Sequence, residues 1–162
     1  MTAASVPAPS QRVLGGAPAW VAWVTFPLAL IGVGISTYLT ITHFEPHALV
    51  CTVGGPFNCG LVTTSWPSRF LGVPVAFLGL FQYVMMAALC SPKAWSSSRR
   101  EIHLARLAFA TVGMAFVLWL LAAELLIIKS LCLWCTGVHI VTFALFICVV
   151  STVPAMLGWT ES

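Results

Sequence analysis

Residues 131–154 read LCLWCTGVHIVTFALFICVVSTVP, from Leu131 to Pro154, and contain no Asp, Glu, Lys or Arg. A membrane helix needs about 20 predominantly apolar residues, and this run supplies them. Working outward, three more stretches meet the same requirement. Residues 17–43 and 70–90 are uncharged, and 104–128 carries only Arg106 near its start and Glu124 near its end. None shows the strict alternation of a strand. In lipid only helices and closed barrels satisfy every backbone polar group, so these runs predict helices. The expected fold is an all-α integral membrane protein, a four-transmembrane-helix bundle with spans at about 17–43, 70–90, 104–128 and 131–154.

Composition agrees. Charged residues make up 7% of the 162-residue chain and hydrophobic ones 60%, against roughly 25% charged in an ordinary soluble domain. A water-facing surface cannot be built from seven basic and four acidic residues. Soluble enzymes and disordered chains are excluded on this ground. A net charge of +3, scattered along the chain, gives no phosphate-binding face, so no nucleic-acid partner is expected. The first apolar run far exceeds the 7–15 residues of a signal-peptide core and reads as a span. The expected organisation is a flexible Ala/Pro/Ser-rich cytoplasmic tail at 1–16, a membrane catalytic domain at 17–154 and a short cytoplasmic tail at 155–162. An outer loop at 44–69 joins the first two spans.

Lys and Arg set the orientation. Arg12, Lys93, Arg99, Arg100 and Arg106 lie on the side of the termini, and Arg69 and Lys129 on the other. Both termini are therefore expected in the cytoplasm. The 44–69 loop then faces outward, from a bacterial inner membrane or into the lumen of the endoplasmic reticulum. Trp20, Trp23, Trp66, Trp134 and Trp159 fall near the expected interfaces, as an aromatic belt does.

The cysteines sort by side. Cys51 and Cys59 lie in the outer loop, and Cys132 and Cys135 at the outer start of the last span. The outer compartment is where disulfides persist. Cys90 and Cys148 lie at or within the spans and read as small buried hydrophobes. Cys132-Leu133-Trp134-Cys135 is a C-x-x-C motif opening a helix. Its cysteines share one face, and the exposed N–H groups of a helix start favour a thiolate. A structural disulfide or half a metal site is the bland alternative. A Cys51–Cys59 bridge would close a nine-residue ring, worth about 2.6 kcal/mol in loop-closure entropy. Taken alone it could be a static staple. Two outward pairs together suit a dithiol–disulfide relay, in which electrons move by thiolate attack through mixed disulfides. A competing reading converges all four outward cysteines on zinc or copper, as a metal-binding or metal-transporting membrane protein.

This arrangement resembles the vitamin K epoxide reductase family. The resemblance rests on four spans, the Cys51…Cys59 loop pair, the Cys132–Cys135 motif, a hydroxyl residue (Ser65) six positions after the second loop cysteine, and a bacterial-type Phe-Leu-Gly-Val-Pro run at Phe70–Pro74. It implies a membrane thiol:quinone oxidoreductase that supports disulfide bond formation. Cys51 would exchange with a thioredoxin-like or other disulfide oxidoreductase partner, and Cys59 would pass electrons to Cys132. Cys135 would face the quinone, with a transient adduct as its expected intermediate. The acceptor would be menaquinone, ubiquinone or vitamin K (or its epoxide), with no metal or flavin. Nothing in the sequence reads as a glycine-rich nucleotide loop. The thioredoxin-like domain fused to many bacterial members is not expected in this chain, so the partner is expected to be separate. Ser65 would support the site by hydrogen bonding. Val75 stands where the animal enzymes carry a substrate-contacting Asn, which points to a neutral quinone over an epoxide. His139, one turn after Cys135, stands where they carry a Tyr near the substrate oxygen, so it could contact ligand or serve structure. Trp134 would shape the surroundings of the motif. Glu124 is expected near the outer boundary of its span, paired with Lys129, with proton supply to the quinone as the alternative.

Overall fold

The computed structural model describes residues 18–51 and 57–153. The expected tails, loop residues 52–56 and Trp159 lie outside the described residues. Helix α1 (Ala19–Phe44) is followed by a single 3₁₀ turn at Pro46–Ala48 and by the cysteine-bearing loop. A short helix α2 (Cys59–Thr64) and a second 3₁₀ turn (Trp66–Ser68) lead into a hairpin of β1 (Arg69–Phe70) and β2 (Val73–Pro74). Helix α3 (Val75–Leu89), the one-turn α4 (Pro92–Trp95), α5 (Arg100–Ala122) and α6 (Leu133–Ser151) complete the chain. Helix α5 runs on into a π-helical turn at Ala123–Ile128.

Three of these helices are long and apolar enough to cross a membrane: Ala19–Phe44, Arg100–Ile128 and Leu133–Ser151. Helix α3 is apolar but shorter, at 15 residues. The expected second span loses its first five residues to the hairpin, where Arg69 pairs with Pro74 and Phe70 with Val73. Leu71 (φ 52°) and Gly72 (φ 84°) both sit in the left-handed region, as the two-residue turn of a tight hairpin requires. The third span starts earlier than expected, at Arg100, because Glu101 and His103 extend the helix beyond the apolar run. Its other end, at Ile128, stands as expected.

The four longer helices pack in a ring, α1 on α3, α3 on α5, α5 on α6 and α6 on α1. Small residues allow the closest approach. Gly32 and Ser36 line the face of α1 that meets α3, and a Cβ on Gly32 would run into the ring of Tyr83. Tyr83 is buried, and its hydroxyl meets Val138 O (2.8 Å) and Thr142 Oγ1 (2.7 Å), tying α3 to α6. The core around it comprises Ala29, Met86, Cys90, Ala110, Val141, Leu145 and Val149. Cys90 is fully buried there, while Cys148 is only half-buried.

Candidate active site

The loop cysteines are joined. Cys51 and Cys59 form a disulfide with Cα atoms 6.1 Å apart. Cys132 and Cys135 are free thiols. Several local features dock the disulfide onto the mouth of α6. Asn58 caps α2, its Oδ1 accepting from Leu61 N at 3.0 Å. Its own N–H donates to Leu131 O at 3.0 Å, and Phe57 forms a parallel bridge with Leu131. On the other flank Trp134 Nε1 donates to Val50 O at 2.9 Å. The Trp134 ring packs on Tyr38, with centroids 4.5 Å apart. The Tyr38 hydroxyl accepts from Val50 N (2.8 Å) and donates to Ala48 O (3.1 Å). The residues on both sides of the disulfide are thus bonded to the helices that carry the C-x-x-C motif or its neighbours.

Cys59 and Cys132, each 0% exposed, share one buried cluster with Val62, and Cys51, Trp134 and Cys135 pack around it. Cys51 is only half-buried. Cys132 sits just ahead of the membrane helix as its N-cap, and its Sγ accepts the Cys135 N–H at 3.3 Å. A hydrogen bond from the Cys135 side chain pulls the Cys132 thiol below its ordinary range, against the upward push of burial. That is the environment of a nucleophilic cysteine: a helix start with donors aimed at sulfur.

Behind the motif lies a cavity of about 600 Å³, within the range of small-molecule pockets. Its wall is mostly apolar, with Leu39, Leu78, Phe81, Phe109, Phe116, Val117 and Leu120 among the lining residues. Cys135 reaches this wall, and so do Val75 and His139. His139 is 3% exposed and its Nδ1 has no hydrogen-bond partner. Ser65 and Trp134 are not among the lining residues. Ser65 Oγ donates instead to Val62 O at 2.7 Å, closing the end of α2, and Trp134 holds the loop.

Glu124 is where the structure departs from expectation. Its carboxyl is 3% exposed and lines the cavity, facing the Cys135 thiol, with Oε2 unpartnered. Pairing with Lys129 at the boundary is not what it does. His43 and Gln82 also line the cavity and were not singled out in the sequence. A signal was present for His43, and the same kind of signal sets Glu124 on the inner face of its helix. On α1, Thr25, Ala29, Gly32, Ser36 and Leu39 form a buried stripe at helical spacing that continues to His43. On α5, Arg106, Ala110, Gly113 and Val117 form one that continues to Glu124. Projecting these stripes along the helix finds both residues.

The vitamin K epoxide reductase family model matches residues 23–150, from within α1 nearly to the end of α6. The chain belongs to this family. It is accordingly a membrane oxidoreductase of the thiol–disulfide type. Family members in general use a quinone as electron acceptor and work with a thioredoxin-like partner. The match includes both cysteine pairs and every lining residue named above.

Proposed function

We propose that this protein is a thiol:quinone oxidoreductase of a four-span membrane bundle. It takes electrons from a thioredoxin-like dithiol on the outer side and delivers them to a membrane quinone. The observation that carries the reading is the continuous placement of sulfur. A half-buried Cys51 is bonded to a buried Cys59, which shares a cluster with Cys132, and Cys135 reaches from that cluster to an apolar cavity.

An incoming thiolate attacks Cys51, the more exposed sulfur, and releases Cys59 as thiolate. Cys59 attacks Cys132 in an oxidised Cys132–Cys135 pair and releases Cys135 beside the cavity. The partner's second thiolate attacks its own sulfur bonded to Cys51, and the partner leaves as a disulfide. The freed Cys51 attacks Cys59, which restores the loop disulfide and releases Cys132. Two electrons then pass from the Cys132–Cys135 dithiol to the quinone as that pair closes again to a disulfide. The arrangement in the structure, loop pair bonded and motif pair reduced, corresponds to the step at which the loop has handed its electrons on. Val75 and His139 are the wall groups that would meet the quinone, His139 as a hydrogen-bond donor. Trp134 supports the site by anchoring the loop. Helix α3 spans about 22 Å at 1.5 Å per residue, short of a core of about 30 Å. The hairpin before it would complete the crossing in the outer leaflet, with its exposed Phe70 and Leu71 in lipid. The five basic residues on the inner side support cytoplasmic termini. The neutral Val75 favours menaquinone or ubiquinone over an epoxide. A second reading, four thiolates on a metal, has two of its sulfurs already bonded to each other.

The test is anaerobic reduction of menaquinone and ubiquinone analogues by the purified protein with a dithiol donor. Turnover is expected, with a covalent Cys59–Cys132 species trapped in Cys51→Ala, which lacks the thiol that resolves it. Absence of turnover with every quinone, together with four titratable outward thiols that bind zinc, would sink the reading.

A further inference from the structure

The titratable groups on the cavity wall are His43 from α1, Tyr83 from α3, Glu124 from the end of α5, and Cys135 and His139 from α6, with the Cys132 sulfur close behind. Glu124 stands out among them. It is buried and faces Cys135, and its Oε2 makes no hydrogen bond. A buried carboxyl left in this state is costly unless a bound group or a proton completes it.

The backbone around it is specialised. Glu124 lies in the π-helical turn Ala123–Ile128, a departure from α geometry often found at functional sites. Lys129, in the left-handed conformation, closes the turn by donating its N–H to Glu124 O, and Ser130 N donates to the same oxygen at 3.2 Å. Two main-chain donors therefore hold Glu124 in place while its side chain is left open toward sulfur and cavity.

We propose that Glu124 is the acid–base group of the quinone half-reaction, taking the proton of the Cys135 thiol and delivering it to a quinone oxygen. The proposal rests on the oxidoreductase reading above. In the full step two S–H bonds break and the Cys132–Cys135 disulfide forms. The quinone gains two electrons and two protons and leaves as the quinol. Glu124 carries the Cys135 proton and ends as it began. The Cys132 proton is released to water at the outer mouth, and the second quinone oxygen takes its proton from the same water.

The test uses the full chain in lipid nanodiscs, reduced by a dithiol and mixed anaerobically with a menaquinone analogue in a single turnover. Glu124→Gln keeps the size and removes the acid. It is expected to slow quinone reduction about 100-fold, within the usual range for a general acid–base group. Reduction of the Cys51–Cys59 disulfide by a thioredoxin-like dithiol should stay within about twofold of wild type. Glu124→Asp should recover part of the quinone rate, and the pH profile of Glu124→Gln should lose one limb. A Gln variant as fast as wild type overturns the proposal, and so does equal loss of both half-reactions in Gln and Asp variants. A wild-type protein that reduces no quinone overturns the oxidoreductase reading itself, and this proposal with it.

Discussion

Arg106 and Glu124 lie on the same interior face of one helix, and the molecule treats them in opposite ways. Arg106 is fully buried and saturated. Its Nε and Nη2 both donate to Leu89 O, at 2.9 and 2.6 Å, and its Nη1 donates to His103 Nδ1 at 3.0 Å. Because the guanidinium can only donate, His103 must be the Nε2–H tautomer, and that N–H donates to Ser97 O at 3.0 Å. Trp95 lies flat against the cation, 3.5 Å from ring centroid to Cζ, and is itself bonded through Nε1 to Thr25. Each guanidinium nitrogen at this end has a partner. At the other end Glu124 and His139 are equally buried, yet each keeps an unpartnered atom on a cavity wall. Burial alone does not mark a functional group. Burial with an unmet hydrogen-bonding need, next to nucleophilic sulfur, does.

The contrast is broken most severely at the sulfurs. Cys135→Ala and Cys132→Ala should each cut quinone reduction by at least about 1,000-fold, because each removes a covalent participant. Thermal unfolding should change little by comparison. Substantial quinone turnover in Cys135→Ala would show that the open end of the molecule is not where electrons leave it.

Arg106→Leu attacks the saturated end. It strands Leu89 O, the terminal carbonyl of α3, inside the protein and removes the surface on which Trp95 rests. The expected cost is about 2–3 kcal/mol, the range for an unsatisfied buried polar group, read as a lower unfolding midpoint in detergent. Quinone reduction per folded molecule should match wild type. A large fall in that rate with unchanged stability would make the Arg106–Trp95 clamp part of the catalytic apparatus, and the two ends would no longer differ in kind.

The loop anchor comes next. Trp134→Phe keeps the ring against Tyr38 and removes the hydrogen bond to Val50 O. About 1 kcal/mol of stability should be lost, and the Cys51–Cys59 disulfide should become more readily reduced by a small dithiol as its flank loosens. Unchanged reduction kinetics would mean that the Asn58–Leu131 contact alone holds the loop.

How much of this was legible in the sequence follows from which forces act locally. Runs of apolar residues report membrane helices directly, so α1, α5 and α6 could be placed. The hairpin at Arg69–Pro74 could not, because its residues are as apolar as the helix that follows, and only Leu71–Gly72 signals a turn. That both cysteine pairs lie at one end of the bundle was legible because they flank the same end of the apolar runs. Bringing Cys59 against Cys132 required the pairing of Phe57 and Asn58 with Leu131, a contact between segments more than seventy positions apart that no local pattern encodes. Glu124 was visible as a continuation of the Arg106–Val117 stripe. Its nearness to the span boundary suggested a surface partner, and the π-helical turn that holds it inward leaves no signature in residue type.

Ser65 carries the smallest expected effect and the sharpest use of the comparison. Family resemblance gives its hydroxyl a supporting role at the quinone site, whereas the geometry gives it Val62 O at 2.7 Å and no place on the cavity wall. By the rule drawn from Arg106 and Glu124, a polar group already satisfied away from the cavity is structural. Ser65→Ala should then cost only about 0.5–1 kcal/mol, the worth of one hydrogen bond, and leave quinone reduction within about twofold of wild type. Ser65→Thr should restore the stability by restoring the bond. A tenfold or greater fall in the quinone rate in Ser65→Ala, with the Cys51–Cys59 disulfide intact, would mean that the hydroxyl turns toward the cavity when quinone binds. The unmet-partner rule would then have to be applied to the loaded site.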